Sequence, residues 1–425
     1  MLLLTIHDSA TYGELRLIYV IQFHIPALIL VFNTIRLSAD SLTSRLTITP
    51  LILTLGSFHE PNFLHASSEQ APFLIIAVYF YFINKLRYSG PRIWVSFLLG
   101  FISVCAFFTK LQVAPIILSL SAFYLLMLCL RKSEYKHYLF FIFSSCFFTA
   151  LALSYIYIQG GMTDFIESYI LGNLAYTNEN SSNLAILYRF TKALIINIMP
   201  TIIWAITIVI TCQWSKLRMQ SQLERGYHLG LIVVIFSAIF SIVKPGRFFE
   251  HYGWLMLLPL YFLLSFYFVQ IRFQQKMVFR VMVISVFGLF FWNIFRATPF
   301  LKLKLRPPLN TEILSFINAK KKPGDRLTVW GRGTFYNHET KLLMGTRDVG
   351  FNIQADFKGI TGEYYQERFL SDLKSNRPKW FIDHEPGNLT PNKHRLQYFP
   401  KIEEYIRQNY CEAHRQKGIV LFMLR

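Results

Sequence analysis

Apolar runs separated by short polar stretches fill most of residues 1–296. Each run approaches or reaches the roughly 20 apolar residues that an α-helix needs to cross the hydrocarbon core of a bilayer. To within several residues at each edge, the runs are 15–35, 44–57, 71–84, 93–108, 111–130, 137–158, 192–213, 228–243, 252–271 and 279–296. The pattern predicts a polytopic α-helical membrane protein with about ten transmembrane helices.

The pattern changes after residue 296. Residues 297–310 form a proline-bearing linker (ATPFLKLKLRPPLN), and residues 311–425 alternate amphipathic helices with apolar strands. The expected helices are TEILSFINAKKK, YQERFLSDLKS and PKIEEYIRQNY, and the expected strands are RLTVWG, KWFIDH and IVLFMLR. This order predicts a small α/β domain. It holds no phosphate loop, dinucleotide fingerprint or nucleophile elbow, so we expect it to position or bind an acceptor.

Composition supports the membrane assignment, and charge excludes one class of partner. The chain is 53% hydrophobic and only 16% charged, with a formal net charge of +19. The basic residues lie largely in short loops and near the end of the chain, with no arginine-rich arm, so we expect no nucleic acid partner. The excess charge instead indicates membrane topology and affinity for anionic membrane lipids.

Lys and Arg concentrate in one alternating set of loops, and this orients the helices because cytoplasmic loops collect basic residues. The basic set is Arg36 and Arg45; Lys85, Arg87 and Arg92; Arg131, Lys132 and Lys136; Lys216, Arg218 and Arg225; Arg272, Lys276 and Arg280. The other set holds Lys110, Arg189, Lys192, Lys244 and Arg247. We therefore expect a multi-pass protein of the inner (plasma) membrane, with the basic loops cytoplasmic and the C-terminal domain extracytoplasmic.

Other ionisable residues gather on the predicted outer face, which indicates a pocket there. They include Asp8, His59, Glu60, Glu69, Lys110, Lys244, Arg247 and His251. A charge at the bilayer centre costs about 2.5–3.5 kcal/mol or more, so charges at span ends need water, a partner or a ligand. Cations held at a membrane face suit an anionic lipid headgroup.

Some of these residues also have plainer explanations. Glu69 follows Ser68, and a capping serine with an acid in the first turn stabilises a helix N-terminus. Lys110 stands between two apolar runs and fits a lysine that snorkels to the interface. The sequence leaves both explanations open. The cysteines form no disulfide framework, and no cluster has metal-ligand spacing, so we expect no metal site.

Several stretches carry family-like motifs in order: ASSEQAPFLIIAVYFYF (66–82), LLGFISVCAFFTKLQVAPIIL (98–118), KPGRFFEHYGWLMLLPL (244–260), and GDRLTVWGRGTFYNHETKLLMGTR (324–347) with KSNRPKWFID (374–383). In this order they resemble the C-type (GT-C) superfamily of membrane glycosyltransferases. The nearest resemblance is to bacterial relatives of dolichyl-phosphate-mannose protein mannosyltransferases and lipid A aminoarabinose transferases. Together the motifs cover most of residues 45–425.

The resemblance implies an inverting glycosyltransferase. Its donor would be a sugar on polyprenyl phosphate, and its acceptor a lipid, glycan or protein on the outer face of the membrane. No cofactor is implied, because the activated sugar arrives on its lipid. The implied roles are catalysis by Asp8 and Glu69, and substrate binding by His59, Glu60, Lys110, Lys244, Arg247 and His251.

One departure from the family concerns the general base, usually an aspartate in the first outer loop after the first span. This chain begins outside by the charge argument, and Asp8 is the aspartate available before its first span. Either Asp8 is the base, or the base lies on an upstream helix that this sequence lacks. In the second case the chain is expected to be inactive as written.

Two other functions compete. A lipid-linked polysaccharide polymerase or ligase typically carries its large outer loop between spans and has no folded domain at the end, whereas this chain shows the reverse. A lipid or solute transporter predicts inverted repeats and broken helices near mid-membrane, but here the ionisable residues lie at span ends.

Overall fold

The computed structural model describes residues 17–57, 70–175, 185, 187–189, 191–192, 221–244, 252–270, 287–288, 291, 311–331, 333, 335–348, 359–384, 395–416 and 418–425. The described residues fall into two compact units. A helical unit contains those up to 165 and those from 185 to 291. An α/β unit contains residues 166–175 and those from 311 onward.

Helices account for almost all of the described part of the helical unit. Their bounds are α1 Leu17–Arg36, α2 Ser41–Ser57, α3 Gln70–Ser89, α4 Ile93–Thr109, α5 Ala114–Leu130, α6 Tyr135–Ile158, α7 Gln222–Val243 and α8 Gly253–Gln270. A 3₁₀ turn, Leu111–Val113, leads into α5.

Within the described residues, four helical stretches are long and apolar enough to cross a membrane. They are Leu17–Arg36, Leu111–Leu130, Tyr135–Ile158 and Gln222–Val243. Shorter apolar helices cover Ile93–Thr109 and Gly253–Tyr267. These apolar helices support a membrane-associated protein, as the composition predicts. The count of about ten spans and their orientation stay predictions, and the runs 192–213 and 279–296 lie almost entirely outside the described residues.

Glycines allow two pairs of these helices to approach closely. A Cβ atom on Gly100 of α4 would lie 2.5 Å from the backbone oxygen of Phe141 in α6. A Cβ atom on Gly230 of α7 would lie 2.2 Å from Cδ2 of Phe123 in α5. Small residues at such crossings are typical of membrane helices, where close van der Waals packing replaces the hydrophobic effect as the force that joins helices.

Buried hydroxyl groups add hydrogen bonds between the same helices. The Tyr79 hydroxyl of α3 donates to the Leu99 carbonyl of α4 at 3.0 Å and lies 3.1 Å from the Ser121 hydroxyl of α5. The Ser96 and Tyr124 hydroxyls join α4 to α5 at 2.7 Å. Each such bond satisfies polar groups that have no water to bind inside a bilayer.

The α/β unit is built on a five-stranded mixed sheet. Its elements are α9 Thr311–Lys320, β1 Arg326–Trp330, α10 Phe335–Thr340, β2 Leu343–Met344, α11 Gly359–Asn376, β3 Trp380–Asp383, α12 Pro400–Asn409, β4 Tyr410–Gln416 and β5 Ile419–Leu424. The strand order is β2-β1-β3-β5-β4. Strands β2, β1 and β3 run parallel, and β5 pairs antiparallel with both β3 and β4.

The three helices and three strands expected from the sequence are confirmed as α9, α11, α12, β1, β3 and β5. Strands β2 and β4 and helix α10 are additions that the sequence pattern did not indicate. One core cluster packs α9 and α10 on the sheet around Leu327 and Trp380, and another packs α11 and α12 around Trp330 and Phe381. The sheet is therefore covered on both faces.

Candidate functional site

Lys110 lies where α4 stops and the chain turns into α5. Its backbone is extended, with φ −161° and ψ 116°, and its N–H still donates to the Ala106 carbonyl at 3.3 Å. Thr109 ends α4 with a side-chain hydroxyl that donates to the same carbonyl at 2.7 Å. Pro115 then begins α5, where its missing N–H costs no hydrogen bond. The break holds the lysine at the junction of the two helices.

The structure brings Lys110 next to a motif that is distant in the sequence. The Lys110 ammonium lies 4.9 Å from the centroid of the Tyr252 ring. Tyr252 is 5% exposed and directly precedes α8. An ammonium over a ring gains about 0.5–2 kcal/mol, more as water is excluded. The FFTK motif and the HYGW motif therefore meet at one end of the helical unit, which we call the Lys110 end.

Lys244 belongs to the same end. The Gln112 side-chain amide donates to the Ser241 carbonyl at 2.7 Å, which ties the turn after Lys110 to the last turn of α7. Lys244 caps α7, donates its N–H to the Phe240 carbonyl at 2.9 Å and exposes its side chain. Two of the predicted phosphate-binding cations thus occupy one end of the helical unit.

His24 is a candidate residue at this end that the sequence analysis did not single out. Its ring stacks on Trp254 with centroids 4.7 Å apart, and Phe73 meets both rings edge-on at 5.8 and 5.2 Å. Among the described residues, its buried Nε2 atom has no hydrogen-bond partner. A buried polar atom in this state costs about 1–3 kcal/mol, which makes His24 a candidate for contact with a ligand.

The local backbone explains how His24 reaches this position. Residues Val20–His24 form a π-helical turn, and Pro26 follows at the start of the regular part of α1. Proline has no N–H, and its ring displaces the carbonyl four residues earlier. The helical turn before Pro26 therefore accommodates one extra residue, as a π-helix does. The only sequence signal for this feature was a polar Gln-Phe-His-Ile-Pro stretch inside an apolar run.

Trp254 does not offer its ring to a sugar in this arrangement. It is 2% exposed, and the imidazole of His24 covers one of its faces. Tyr252 is similarly buried beneath the Lys110 ammonium. Both aromatic residues therefore form the wall of the Lys110 end and position the groups in front of them.

The remaining predicted site residues lie outside the described part of the chain: Asp8, His59, Glu60, Glu69, Arg247 and His251. Gln70, the residue after Glu69, begins α3 and is 4% exposed. Within the described residues, no group of three or more His, Cys, Asp or Glu side chains has the geometry to hold a metal ion.

A second polar cluster lies inside the α/β unit. Arg368 of α11 pairs with the Asp348 carboxylate, and its guanidinium also donates to the Ser168 hydroxyl. Burial raises the pKa of Asp348 despite the opposing charge of Arg368. Burial alone would lower the pKa of Arg368, but the hydrogen bond and charge of Asp348 outweigh it and raise the value. The pair holds the segment 166–175 on the surface of α11.

Two parallel strands end side by side in the same unit. The chain leaves β1 toward β2 on one side and later returns to β3 on the other, so their carboxyl ends flank a topological switch point, where open parallel sheets bind ligands. The backbone N–H of His384 donates to the Trp330 carbonyl at 2.9 Å, and Gly331 has φ 100°. Burial lowers the pKa of His384.

No known protein family model matches this sequence, and no curated protein matches it either. The family-like motifs and the geometry of the Lys110 end are therefore the observations that bear on function.

Proposed function

We propose that this protein is an inverting glycosyltransferase that takes a sugar from a polyprenyl-phosphate donor and passes it to a lipid, glycan or protein acceptor at the outer face of the membrane. The observation that carries the proposal is the contact between Lys110 and Tyr252. It joins two motifs that resemble the C-type superfamily and that lie far apart in the sequence.

The chemistry of the transfer explains why a cation at this position matters. As the acceptor hydroxyl attacks the anomeric carbon, the bond from that carbon to the lipid phosphate breaks and negative charge develops on the phosphate. Lys110 and Lys244 would stabilise that charge, together with Arg247 and His251. Such preorganised charges gain strength where water is excluded, and Tyr252, the ring under the Lys110 ammonium, is almost fully buried.

The remaining step is removal of the proton from the acceptor hydroxyl. A carboxylate suits this role, and the candidates are Asp8, with Glu69 as a second acid that orients the acceptor or the base. The α/β unit would bind or position the acceptor. The same resemblance suggests an inner (plasma) membrane location with this unit extracytoplasmic.

The test is to incubate the purified full chain with polyprenyl-phosphate sugars and to measure release of polyprenyl phosphate. Asp8→Asn, Glu69→Gln and Arg247→Ala are each expected to slow release by about 100-fold or more. Lys136→Gln, which removes a cation of the basic set from the first turn of α6, where it pairs with Glu134, is the matched control. Release that ignores all three site substitutions would contradict the proposal.

A further inference from the structure

A shallow groove lies between α1 and α3 at the end of the helical unit opposite Lys110, where both helices end and α7 begins. We call this end the Arg87 end. The groove holds about 500 Å³, a volume within the roughly 300–1,000 Å³ typical of small-molecule sites. Its lining residues are Phe32, Asn33, Arg36, Leu37 and Tyr81. All of them are exposed or partly exposed, so a ligand can reach them.

The polar side chains of the groove offer hydrogen-bond donors. Arg36 ends α1, and a guanidinium has five N–H donors arranged to bind phosphate oxygens in pairs. Asn33, one turn earlier, exposes an amide. The Tyr81 hydroxyl accepts a hydrogen bond from the Lys85 ammonium at 3.4 Å, and this ammonium lies 5.4 Å from the centroid of the Tyr81 ring. The hydroxyl of Tyr81 can therefore donate its own hydrogen to a ligand while Lys85 holds a second positive charge beside it.

The positive charge of the groove is not offset by a neighbouring acid. Within the part of the chain that the structure describes, no carboxylate forms an ion pair with Arg36 or Lys85. Asp40 is the nearest acid in the sequence to Arg36, but it caps α2 instead. Its carboxylate accepts from the backbone N–H of Thr43 at 2.8 Å and from the hydroxyl of the same residue at 3.1 Å.

The surroundings of the groove are basic as well. Two other acids described at this end, Glu134 and Glu224, are already paired with Lys136 and Arg87, at 2.7 and 3.6 Å. The basic residues described there are Arg36, Arg45, Lys85, Arg87, Arg92, Arg131, Lys132, Lys136 and Arg225. A ligand with a net negative charge is attracted to this end, whereas a headgroup that also carries a cation is repelled by Arg36 and Lys85.

One feature of this end opposes an anion. The C-terminal ends of α1 and α3 each carry roughly half a negative charge. On α1 this charge is reduced, because the N–H groups of Leu37 and Ser38 donate to the carbonyls of Thr34 and Ile35 at 3.3 and 2.9 Å. The two full charges of the basic side chains outweigh the two partial ones, so the groove still attracts a phosphate.

The exposed face of α1 indicates that the phosphate belongs to a lipid. Ile21, Ile25 and Ile29 are 53%, 46% and 55% exposed, and Asn33 continues the same four-residue spacing. Residues four apart lie on one face of a helix, so an apolar stripe leads directly to the polar groove. Free phosphate would use only the groove, whereas a phospholipid would also cover the stripe with an acyl chain.

We propose that this groove binds the headgroup phosphate of an anionic phospholipid, with an acyl chain along α1. The phosphate would accept hydrogen bonds from Arg36, Asn33 and Tyr81, and Lys85 would add a second attractive charge. The basic loops predict this end to be cytoplasmic, where the inner leaflet supplies such lipids. The net charge of the chain predicts a general affinity for anionic lipids, and the groove gives that affinity a specific site. The proposal does not depend on glycosyl transfer.

The test is native mass spectrometry of the full chain, purified in detergent and titrated with lipids that share the same acyl chains. Phosphatidylglycerol is expected to bind about tenfold more tightly than phosphatidylethanolamine or phosphatidylcholine, because both of these bring a cation to the basic groove. Equal binding of the three lipids would overturn the proposal. Glycerol 3-phosphate forms a fourth arm, and its binding as tightly as phosphatidylglycerol would overturn the lipid assignment.

Substitutions place the lipid in this groove. Arg36→Gln and Lys85→Gln are each expected to weaken binding of phosphatidylglycerol about fivefold. Arg45→Gln, the matched control, removes the same charge from an exposed position on α2 and should change binding by less than about twofold. An equal loss in Arg45→Gln and Arg36→Gln would overturn the proposal, because the attraction would then belong to the whole basic end.

A third variant keeps the charge of the groove unchanged. Tyr81→Phe retains the ring beneath Lys85 and removes the hydroxyl donor, so binding of phosphatidylglycerol should weaken about threefold. If either charge variant does not fold, Tyr81→Phe decides in its place. Unchanged affinity for phosphatidylglycerol in Tyr81→Phe would then overturn the proposal.

Discussion

Each end of the helical unit places a basic side chain against aromatic rings, but the two ends surround that charge differently. At the Lys110 end, a flexible lysine lies over one tyrosine ring, and the buried Nε2 atom of His24 has no hydrogen-bond partner among the residues that the structure describes. At the Arg87 end, a planar guanidinium is held between rings and faces a carboxylate at 3.6 Å. An arginine paired with a carboxylate suits a stable binding surface, whereas a compact ammonium over a buried ring suits charge that develops during a reaction.

The largest expected effect is a difference in membrane topology, because the comparison requires the two ends to lie on opposite sides of the membrane. Gln159→Cys, after α6, and Ser89→Cys, at the end of α3, are both at exposed positions. In a background with the native cysteines changed to serine, a membrane-impermeant thiol reagent added outside intact cells is expected to label position 159 and not position 89. Labelling of both from the same side would contradict the orientation set by the basic loops.

Loss of the cation at the Lys110 end should have a large effect on chemistry. Lys110→Gln is expected to lower kcat/KM for polyprenyl-phosphate release about 100-fold, because one charge is lost from the departing phosphate. Thermal unfolding should shift little. If Lys110→Gln is as active as the wild type, Lys110 is only a lysine that snorkels to the membrane interface.

Loss of the cation at the Arg87 end should instead destabilise the fold. Arg87→Ala removes contacts with three rings and the ion pair with Glu224, so the free energy of unfolding should fall by about 2 kcal/mol. Denaturant unfolding in detergent gives the value. Arg45→Ala is the control, and an equal loss in both variants would show that the rings around Arg87 add nothing.

A smaller effect separates structure from function at His24. His24→Phe keeps the stacking on Trp254 and removes the buried Nε2 atom, so the protein should gain about 1 kcal/mol of stability. If Nε2 binds the donor, turnover of the donor should nevertheless fall. A variant that gains stability and keeps full turnover would make His24 a packing residue.

The smallest expected effect is the pH dependence of stability at His384. This residue belongs to the α/β unit and serves as a reference for the two ends of the helical unit. Burial lowers the pKa of His384 from its ordinary value of 6.5, so the unfolded chain takes up a proton more readily than the folded one. Stability from this group is therefore complete above about pH 6.5 and is lost as the pH falls below it. After correction for the intrinsic pH dependence of amide exchange, the protection factors of β3 should fall between pH 7 and pH 5 in the wild type, and fall less in His384→Asn.

The sequence predicted the regular parts of this fold well because hydrophobic periodicity carries the information. Runs such as 93–108 and 137–158 appear as helices with nearly the same bounds, and KWFIDH forms a buried strand. Strand β4 was missed because its sequence, YCEAHRQ, is polar and only its first residue is buried at this edge of the sheet. The two residues of β2 are too few to show any period.

The candidate site was predictable only in part. The alternation of basic loops placed Lys110 and Lys244 on one face, and the structure brings both to one end of the helical unit. His24 was missed because a single histidine in an apolar run resembles an ordinary core residue. The stacking on Trp254 depends on a π-helical turn and on a helix far away in the sequence, which periodicity does not report.

Gly172 has a practical consequence for anyone who divides this chain. A Cβ atom there would lie 2.6 Å from the Tyr365 hydroxyl, so the segment 166–175 packs against α11 in this way because residue 172 has no side chain. A fragment starting at residue 311 would lack the segment 166–175, so the surface of α11 would be exposed and Arg368 would lose its hydrogen bond to Ser168. A chimera that exchanges the C-terminal domain must therefore carry both pieces of sequence together.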